Sequence, residues 1–258
     1  MAPLKLNQIN GAETDSRWNW LYRVGGAAAL IAAVLFRRNL GAEFMLLRRI
    51  GIIGVGPTVP PSTVMDWFTL LQNNKLLGLT LLNIFDIVNY ALVGLIFLAL
   101  YVALKRASES FMAIGTTFGF VGIAVYFATN QAFSMLFLSN QYAAAATDVE
   151  RSIFLAAGQT VLAIHNNASY QGTGIYMSFL LVSIAGLIIS TVMLRSNIFS
   201  KVAAYLGILA NVFGLGYYIT LVFAPTIVFL PLSASAPLLL MWYVLIARRL
   251  FQLGSLKI

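Results

Sequence analysis

Few side chains in this sequence have types and settings that suggest chemistry, and the most telling is one acid in an apolar run. Between Leu76 and Arg106 the sole acidic residue is Asp86, and the bases are confined to the closing pair Lys105–Arg106. Asn83, Asp86 and Tyr90 are spaced i, i+3, i+7 and would share one helix face, with Asn89 at its margin. A carboxylate inside hydrocarbon costs several kcal/mol unless it is paired, hydrated or protonated. Two roles are therefore open to Asp86. In one it binds a cation or proton, or orients the polar head of a ligand, with Asn83 and Tyr90 as neighbours. In the other it is a structural knot, hydrogen-bonded to Tyr, Thr or Asn on another helix. Tyr126, Asn130 and Ser134 recur at i, i+4, i+8, with Thr129 and Gln131 beside them, and this stripe is the natural partner for the Asp86 face. It would line a polar pocket, or simply bridge helices by hydrogen bonds worth ~0.6–2 kcal/mol each.

His165 is the one histidine, and there is no cysteine. Thiolate catalysis, disulfides and thiolate-held zinc or iron–sulfur clusters are excluded. A lone His beside Asn166, Asn167 and Gln159 does not make an ordinary metal site; it would ligate a haem or chlorin alone, or make an interfacial polar contact or helix cap. Asn167-Ala168-Ser169 matches the glycosylation sequon, which matters only in a eukaryotic secretory setting. The glycine-rich run Gly51–Gly56 lacks the adjoining Lys and strand–helix context of a phosphate loop.

These residues need elements to position them, and composition fixes their type. Hydrophobic residues make up 60% of the 258 and charged residues 9%, against roughly 25% charged in soluble domains. The apolar runs are long and continuous rather than short and alternating, which selects membrane-spanning helices over a β-barrel. The net charge is +8, but Arg37–Arg38, Arg48–Arg49, Lys105–Arg106 and Arg248–Arg249 stand in pairs at the ends of apolar runs. That is the placement of helix anchors against lipid headgroups, so the expected partner is the bilayer and nucleic acid is not one.

In chain order, residues 1–16 read as a polar tail without the basic start and apolar stretch of a cleavable signal, and 17–258 as a single transmembrane helical domain. Six spans are expected near Trp18–Phe36, Leu76–Leu104, Phe111–Leu138, Ile175–Leu194, Val202–Phe223 and Val228–Ala247. Two outer connections, 37–75 and 139–172, each hold a short interfacial helix: one capped by Ser62 or Thr63, the other covering Ile153–Ile164 and capped near Thr147–Asp148. If Ile153–Ile164 also crosses, there are seven spans; six are preferred. Gly115 and Gly119, and the stripe Gly207, Asn211, Gly214, suit close helix packing. Trp18, Trp20, Tyr22, Trp67, Tyr101, Trp242 and Tyr243 are expected to anchor span ends at the interface. With six spans both termini share a side with Lys105, Arg106, Arg195, Lys201, Arg248 and Arg249, which the positive-inside rule makes cytoplasmic; Arg37, Arg38, Arg48 and Arg49 then fall outside.

The stretches NIFDIVNYALVGLIFLALYVALKR (83–106), GTGIYMSFLLVSIAGLIISTVMLRS (172–196), FSKVAAYLGILANVFGLGYYI (199–219) and SAPLLLMWYVLIARRLFQLG (235–254) resemble a prokaryotic multi-pass membrane family. That family is catalogued as domain of unknown function 4386. The resemblance runs from Asn83 to Gly254, about two thirds of the chain, and implies an all-helical inner-membrane protein of roughly six spans. It brings no catalytic residues. Few ionisable groups in the spans and many small-residue faces favour a non-catalytic protein. It would bind a lipid, quinone or pigment, serve as an accessory subunit of a larger membrane assembly, or form a homo-oligomer. The alternative is a small-solute or cation- or proton-coupled transporter using Asp86. An intramembrane enzyme using Asp86 and His165 is the least favoured reading, since no assembled geometry supports it.

Overall fold

The computed structural model describes residues 18–37, 61–166 and 172–255, and among them every regular element is helical. In order these are α1 (Asn19–Arg37), α2 (Val64–Asn73), α3 (Lys75–Leu81), α4 (Ile84–Leu104), α5 (Glu109–Thr129), α6 (Ala132–Ala144), α7 (Asp148–Asn166), α8 (Gly172–Arg195), α9 (Lys201–Phe223), a 3-10 turn (Pro225–Ile227) and α10 (Phe229–Ser255). Five stretches are long and apolar enough to cross a membrane: Ile84–Leu104, Glu109–Ala144, Thr173–Arg195, Lys201–Phe223 and Leu230–Ser255. At 1.5 Å per residue, α4 is about 31 Å long, close to the ~30 Å of hydrocarbon it would cross. The apolar part of α1, Asn19–Leu35, is shorter. The protein is thus an all-α bundle of the polytopic membrane type.

Six helices close on themselves. α1 packs on α4, α4 on α5, α5 on α8, α8 on α9, α9 on α10, and α10 returns to α1. Close approach is made possible by small residues at the contacts. A Cβ on Gly119 would meet the Phe97 ring and, at 3.4 Å, Ala185; one on Gly122 would lie 2.8 Å from the Ser178 carbonyl. Gly115 faces Ile188 and Ile189 in the same seam. One half of the ring is filled by Ile96, Leu100, Leu104, Met112, Ile189, Met193, Ile246 and Leu250, all fully buried. The outward faces carry Ile31, Val34, Leu98, Phe118, Val121, Val202 and Val244, exposed apolar side chains suited to lipid.

The filled half is the basic end. Arg23 donates to the Gly254 carbonyl at 2.9 Å, and Lys105 lies over the Trp18 ring at 5.7 Å, so the start of α1 meets the ends of α4 and α10. Arg195, Lys201, Arg248 and Arg249 share this end, with Glu109 the one acid there among the described residues.

At the opposite end α2, α3, α6 and α7 pack on one another as an outer layer with its own core of Val64, Trp67, Phe68, Leu71, Leu82, Ala132, Met135 and Leu162. Thr63 caps α2 by accepting from the Asp66 N–H at 3.2 Å. Thr147 and Glu150 form a reciprocal capping box at α7. Gln72 bridges α2 to Ser139 and Asn140 of α6.

Two expected spans are corrected by this layer. The second does not run unbroken from Leu76 to Leu104: α3 ends at Leu81, and Asn83 takes a left-handed conformation (φ 63°, ψ 34°) before α4 begins. Asn tolerates that region better than other non-glycine residues, and the flanking leucines hide the break from any hydropathy pattern. The third span bends at Asn130–Gln131. There Asn130 is extended, and its side-chain oxygen accepts the Ala132 N–H at 3.0 Å, replacing the helical bond. The last helix also runs further than expected, to Ser255, so Arg248 and Arg249 lie within it.

Candidate functional site

The half of the ring next to the outer layer is not filled. It holds a cavity of about 240 Å³ walled by four helices. α4 contributes Asp86, Asn89, Tyr90, Val93 and Phe97; α8 contributes Phe179, Val182, Ser183 and Gly186. α9 contributes Ala210, Asn211, Gly214, Tyr217 and Tyr218; α10 contributes Leu232, Ser235, Leu239, Trp242 and Tyr243. Each set follows three- and four-residue steps, so one stripe of each helix faces inward. From Asp86 to Phe97 the wall of α4 extends ~16 Å along the helix axis, with the carboxylate near the outer end.

Asp86 is placed by the break before it. The turn at Asn83 starts α4, the Asp86 N–H donates to the Asn83 carbonyl at 3.1 Å, and the side chain falls in the first helical turn. There the helix dipole favours an acidic side chain. The Tyr126 hydroxyl donates to Asp86 Oδ2 at 3.4 Å, a long bond. Asn130 Nδ2 donates to the Tyr126 oxygen at 3.2 Å. A polar chain thus runs from the bend between α5 and α6, through Asn130 and Tyr126, to the carboxylate. Tyr126 itself is 1% exposed.

Aromatic rings frame this chain. Tyr90 stacks on Tyr126 with centroids 4.2 Å apart and planes 12° apart. Phe179 lies 5.8 Å from Tyr90, 5.7 Å from Tyr126 and 5.9 Å from Tyr218. Tyr176 meets Tyr218 edge-on and donates to its carbonyl at 3.1 Å. Deeper in, Asn211 Nδ2 donates to the Gly207 carbonyl at 2.7 Å and Ser235 to the Ala210 carbonyl at 2.8 Å. Trp242 Nε1 and Asn89 Oδ1 are buried without a hydrogen-bond partner, and both belong to side chains of the cavity wall. Trp242 Nε1 packs against Gly207 beside Ser190 Oγ, in the seam between α8, α9 and α10.

The residues singled out from the sequence separate here into those the fold assembles and those it does not. Asp86, Tyr90 and Tyr126 come together, and Asn130 joins them through Tyr126. Asn83 marks the helix break and does not sit on a common helix face with Asp86 and Tyr90. Ser134 is exposed on α6, and the bend at Asn130 cuts it off from the stripe it was read into. Gly207 lies against Ser190 and Trp242, and Gly186 leaves room for Asn211. Gly214 borders the cavity, with Ser183 Oγ 3.2 Å from where its Cβ would be. His165 falls in the last turn of α7, but its side chain and the sequon at 167–169 lie outside the described residues. Among the described residues no three His, Cys, Asp or Glu side chains group as a metal site.

Trp242 and Tyr243, expected at the interface, are 2% and 5% exposed inside the ring, because α10 continues past them for three more turns. Trp67, also read as an anchor, is 0% exposed in the core of the outer layer. The polar cavity residues that the sequence reading passed over are Tyr217, Tyr218, Ser183 and Ser235. A tyrosine pair in the last third of an apolar helix was the available signal. No family model, curated protein or solved structure matches the chain, so the bundle and its cavity are what a functional reading has to rest on.

Proposed function

We propose that this is a non-catalytic multi-pass protein of a prokaryotic inner membrane that binds one small lipophilic molecule inside its helical ring, by itself or as an accessory subunit of a larger membrane assembly. One observation carries the reading: a cavity with a carboxylate at one end and aromatic and apolar walls. Its volume of about 240 Å³ is just under the usual range for small-molecule pockets, which suits a compact ligand or the head of a larger one. Native mass spectrometry of gently purified protein tests it. A stoichiometric bound small molecule is expected on the wild type and not on Gly214→Leu, whose side chain would grow into the cavity; equal loading of both would refute the reading.

The same proposal takes six spans, with α2, α3, α6 and α7 as an outer layer and the basic end in the cytoplasm together with both termini. The charge asymmetry supports it. The chain has no cysteine, so single-cysteine labelling is clean. Ser152→Cys should react with an impermeant thiol reagent from outside and Gln252→Cys from inside.

A second reading is favoured by the polar chain from the α5–α6 bend to Asp86: transport of a small solute or cation, coupled through that carboxylate. Vesicles reconstituted with the protein would then show flux that Asp86→Asn abolishes; undiminished flux in that variant would end this reading.

A further inference from the structure

We propose that the cleft between the α8–α9 connection and the end of α10 binds a phospholipid with an anionic headgroup, its phosphate at Arg248 and Arg249 and an acyl chain laid along α10. The inference is independent of the cavity beside Asp86. It needs only that the basic end of the bundle meets a headgroup layer, on whichever side of the membrane. The cleft has a volume of about 380 Å³, and Asn197, Ser200, Leu245, Arg248, Arg249 and Gln252 are part of its lining. After Glu150 the chain contains no acidic residue, so α8, α9, α10 and the connections between them bring bases and no acids to this place. The stretch 1–17 holds Glu13 and Asp15, but Lys5 and Arg17 balance them, so it has no net negative charge to set against the arginines.

The two arginines are presented differently. Arg249 is half-buried and held in place: its Nε donates to the Ile198 carbonyl, and its Nη1 donates to Gln252 Oε1 at 3.1 Å. A guanidinium has five N–H donors, so three remain for phosphate oxygens, on a fork whose position is already fixed. Arg248, next to it and exposed, supplies a second and adjustable positive group. An apolar path leads away from both. Met241, Val244 and Arg248 stand at i, i+3, i+7 on one face of α10, and Met241 and Val244 are exposed. Leu245 carries that apolar surface into the cleft. A guanidinium above an exposed apolar stripe matches a phosphate above an acyl chain, whereas a soluble phosphate would leave the stripe unused. A zwitterionic lipid brings a compensating ammonium, which the same bases repel.

Native mass spectrometry of the whole protein in detergent micelles tests this, with phosphatidylglycerol and phosphatidylcholine of identical acyl chains titrated in competition. The first lipid to bind is expected to be phosphatidylglycerol, preferred at least about tenfold, since each base near an anionic headgroup is worth about fivefold. Arg248→Gln should cut that preference by about fivefold. Lys105→Gln removes one charge at the same end but outside the cleft, and should leave the preference unchanged. The comparison of the two lipids is made on the wild type, so it stands whether or not a variant folds. Equal occupancy by the two lipids would overturn the proposal. So would an equal loss of preference in both variants, which would mean a diffuse positive surface rather than a cleft. Displacement of the bound phosphatidylglycerol by an equal concentration of glycerol phosphate would overturn the lipid assignment and make the cleft a site for a soluble phosphate.

Discussion

The seam between α4, α5 and α8 offers a quantitative test of the ring, because two buried glycines in it should respond to the same substitution with opposite sign. A methyl group on Gly119 would lie 2.5 Å from Phe97 Cε2 and nearer still to Cδ2, with Ala185 Cβ at 3.4 Å on the other side. Carbon atoms settle at roughly 3.5–4.0 Å, so the Phe97 ring has to move by about 1 Å. Phe97 is buried in the core and borders the cavity, and the free space beside it lies in that direction. Overpacking of this kind costs typically ~1–3 kcal/mol. A methyl on Gly94 instead meets Phe120 at 3.4 Å and Ile123 at 3.5 Å, which is ordinary contact. There the gain in helix propensity, up to ~1 kcal/mol, should dominate.

Gly119→Ala is therefore expected to destabilise the protein by about 1–3 kcal/mol, and Gly94→Ala to be neutral or stabilising. Unfolding in mixed micelles, followed by circular dichroism, reads both. The cause is isolated by a double-mutant cycle with Phe97→Ala, which removes the ring atoms that Gly119→Ala strikes. The cycle should show a favourable coupling of about 0.5–3 kcal/mol. Additive effects, or a Gly119→Ala protein as stable as the wild type, would refute the close approach of α5 to α4 and with it the closure of the ring at this seam.

Three further expectations concern the breaks and the outer layer. At Asn83, with φ of 63°, glycine should be tolerated and valine should cost ~1–2 kcal/mol, so thermal midpoints should fall in the order Gly, Asn, Val; a valine variant equal to wild type would deny the left-handed turn. Trp67→Ala removes a fully buried ring and should cost ~3–5 kcal/mol. Hydrogen exchange should rise in α2, α6 and α7 while α9 and α10 stay protected, and uniform loss of protection would mean that the layer and the ring are one cooperative unit. Thr147→Ala should cost ~1 kcal/mol and raise exchange in the first turn of α7 alone.

Much of the fold was legible because a bilayer constrains sequences so simply. Continuous apolar runs with basic ends mark Thr173–Arg195 and Lys201–Phe223 to within a few residues of their helices, and the end of Ile84–Leu104 but not its start. Side-chain chemistry places the caps to within a residue, at Ser62 or Thr63 and near Thr147–Asp148, and the structure takes Thr63 and Thr147. The two breaks could not. Leu81, Leu82 and Ile84 around Asn83, and Phe127, Ala132 and Phe133 around Asn130, keep the hydropathy high straight through both turns. Only the asparagines, able to adopt left-handed backbone or to take over a backbone hydrogen bond, hinted at them. With the breaks missed, the outer layer had to be read as two separate interfacial helices rather than as four helices sharing a core.

The site was half legible for a related reason. Asp86 drew notice because an acid in an apolar run is costly, and Tyr126 because its stripe matched. The remaining wall comes from α8, α9 and α10, more than ninety residues away along the chain, and no spacing rule reaches that far. What joins them is the ring closure, and the breaks take part in it too. Asn83 ends one helix so that Asp86 falls in the first turn of another, where the helix dipole offsets part of the cost of holding it there. Asn130 ends α5 and orients Tyr126 toward the same oxygen pair. The two residues that hydropathy could not explain thus set the position of the one acid in the cavity wall. Replacing Asn130 by Ala removes the bond that caps the start of α6 and should cost about 1 kcal/mol, with faster hydrogen exchange at Ala132 and the residues that follow it. Unchanged exchange in a folded Asn130→Ala protein would show that the bend holds without that side chain.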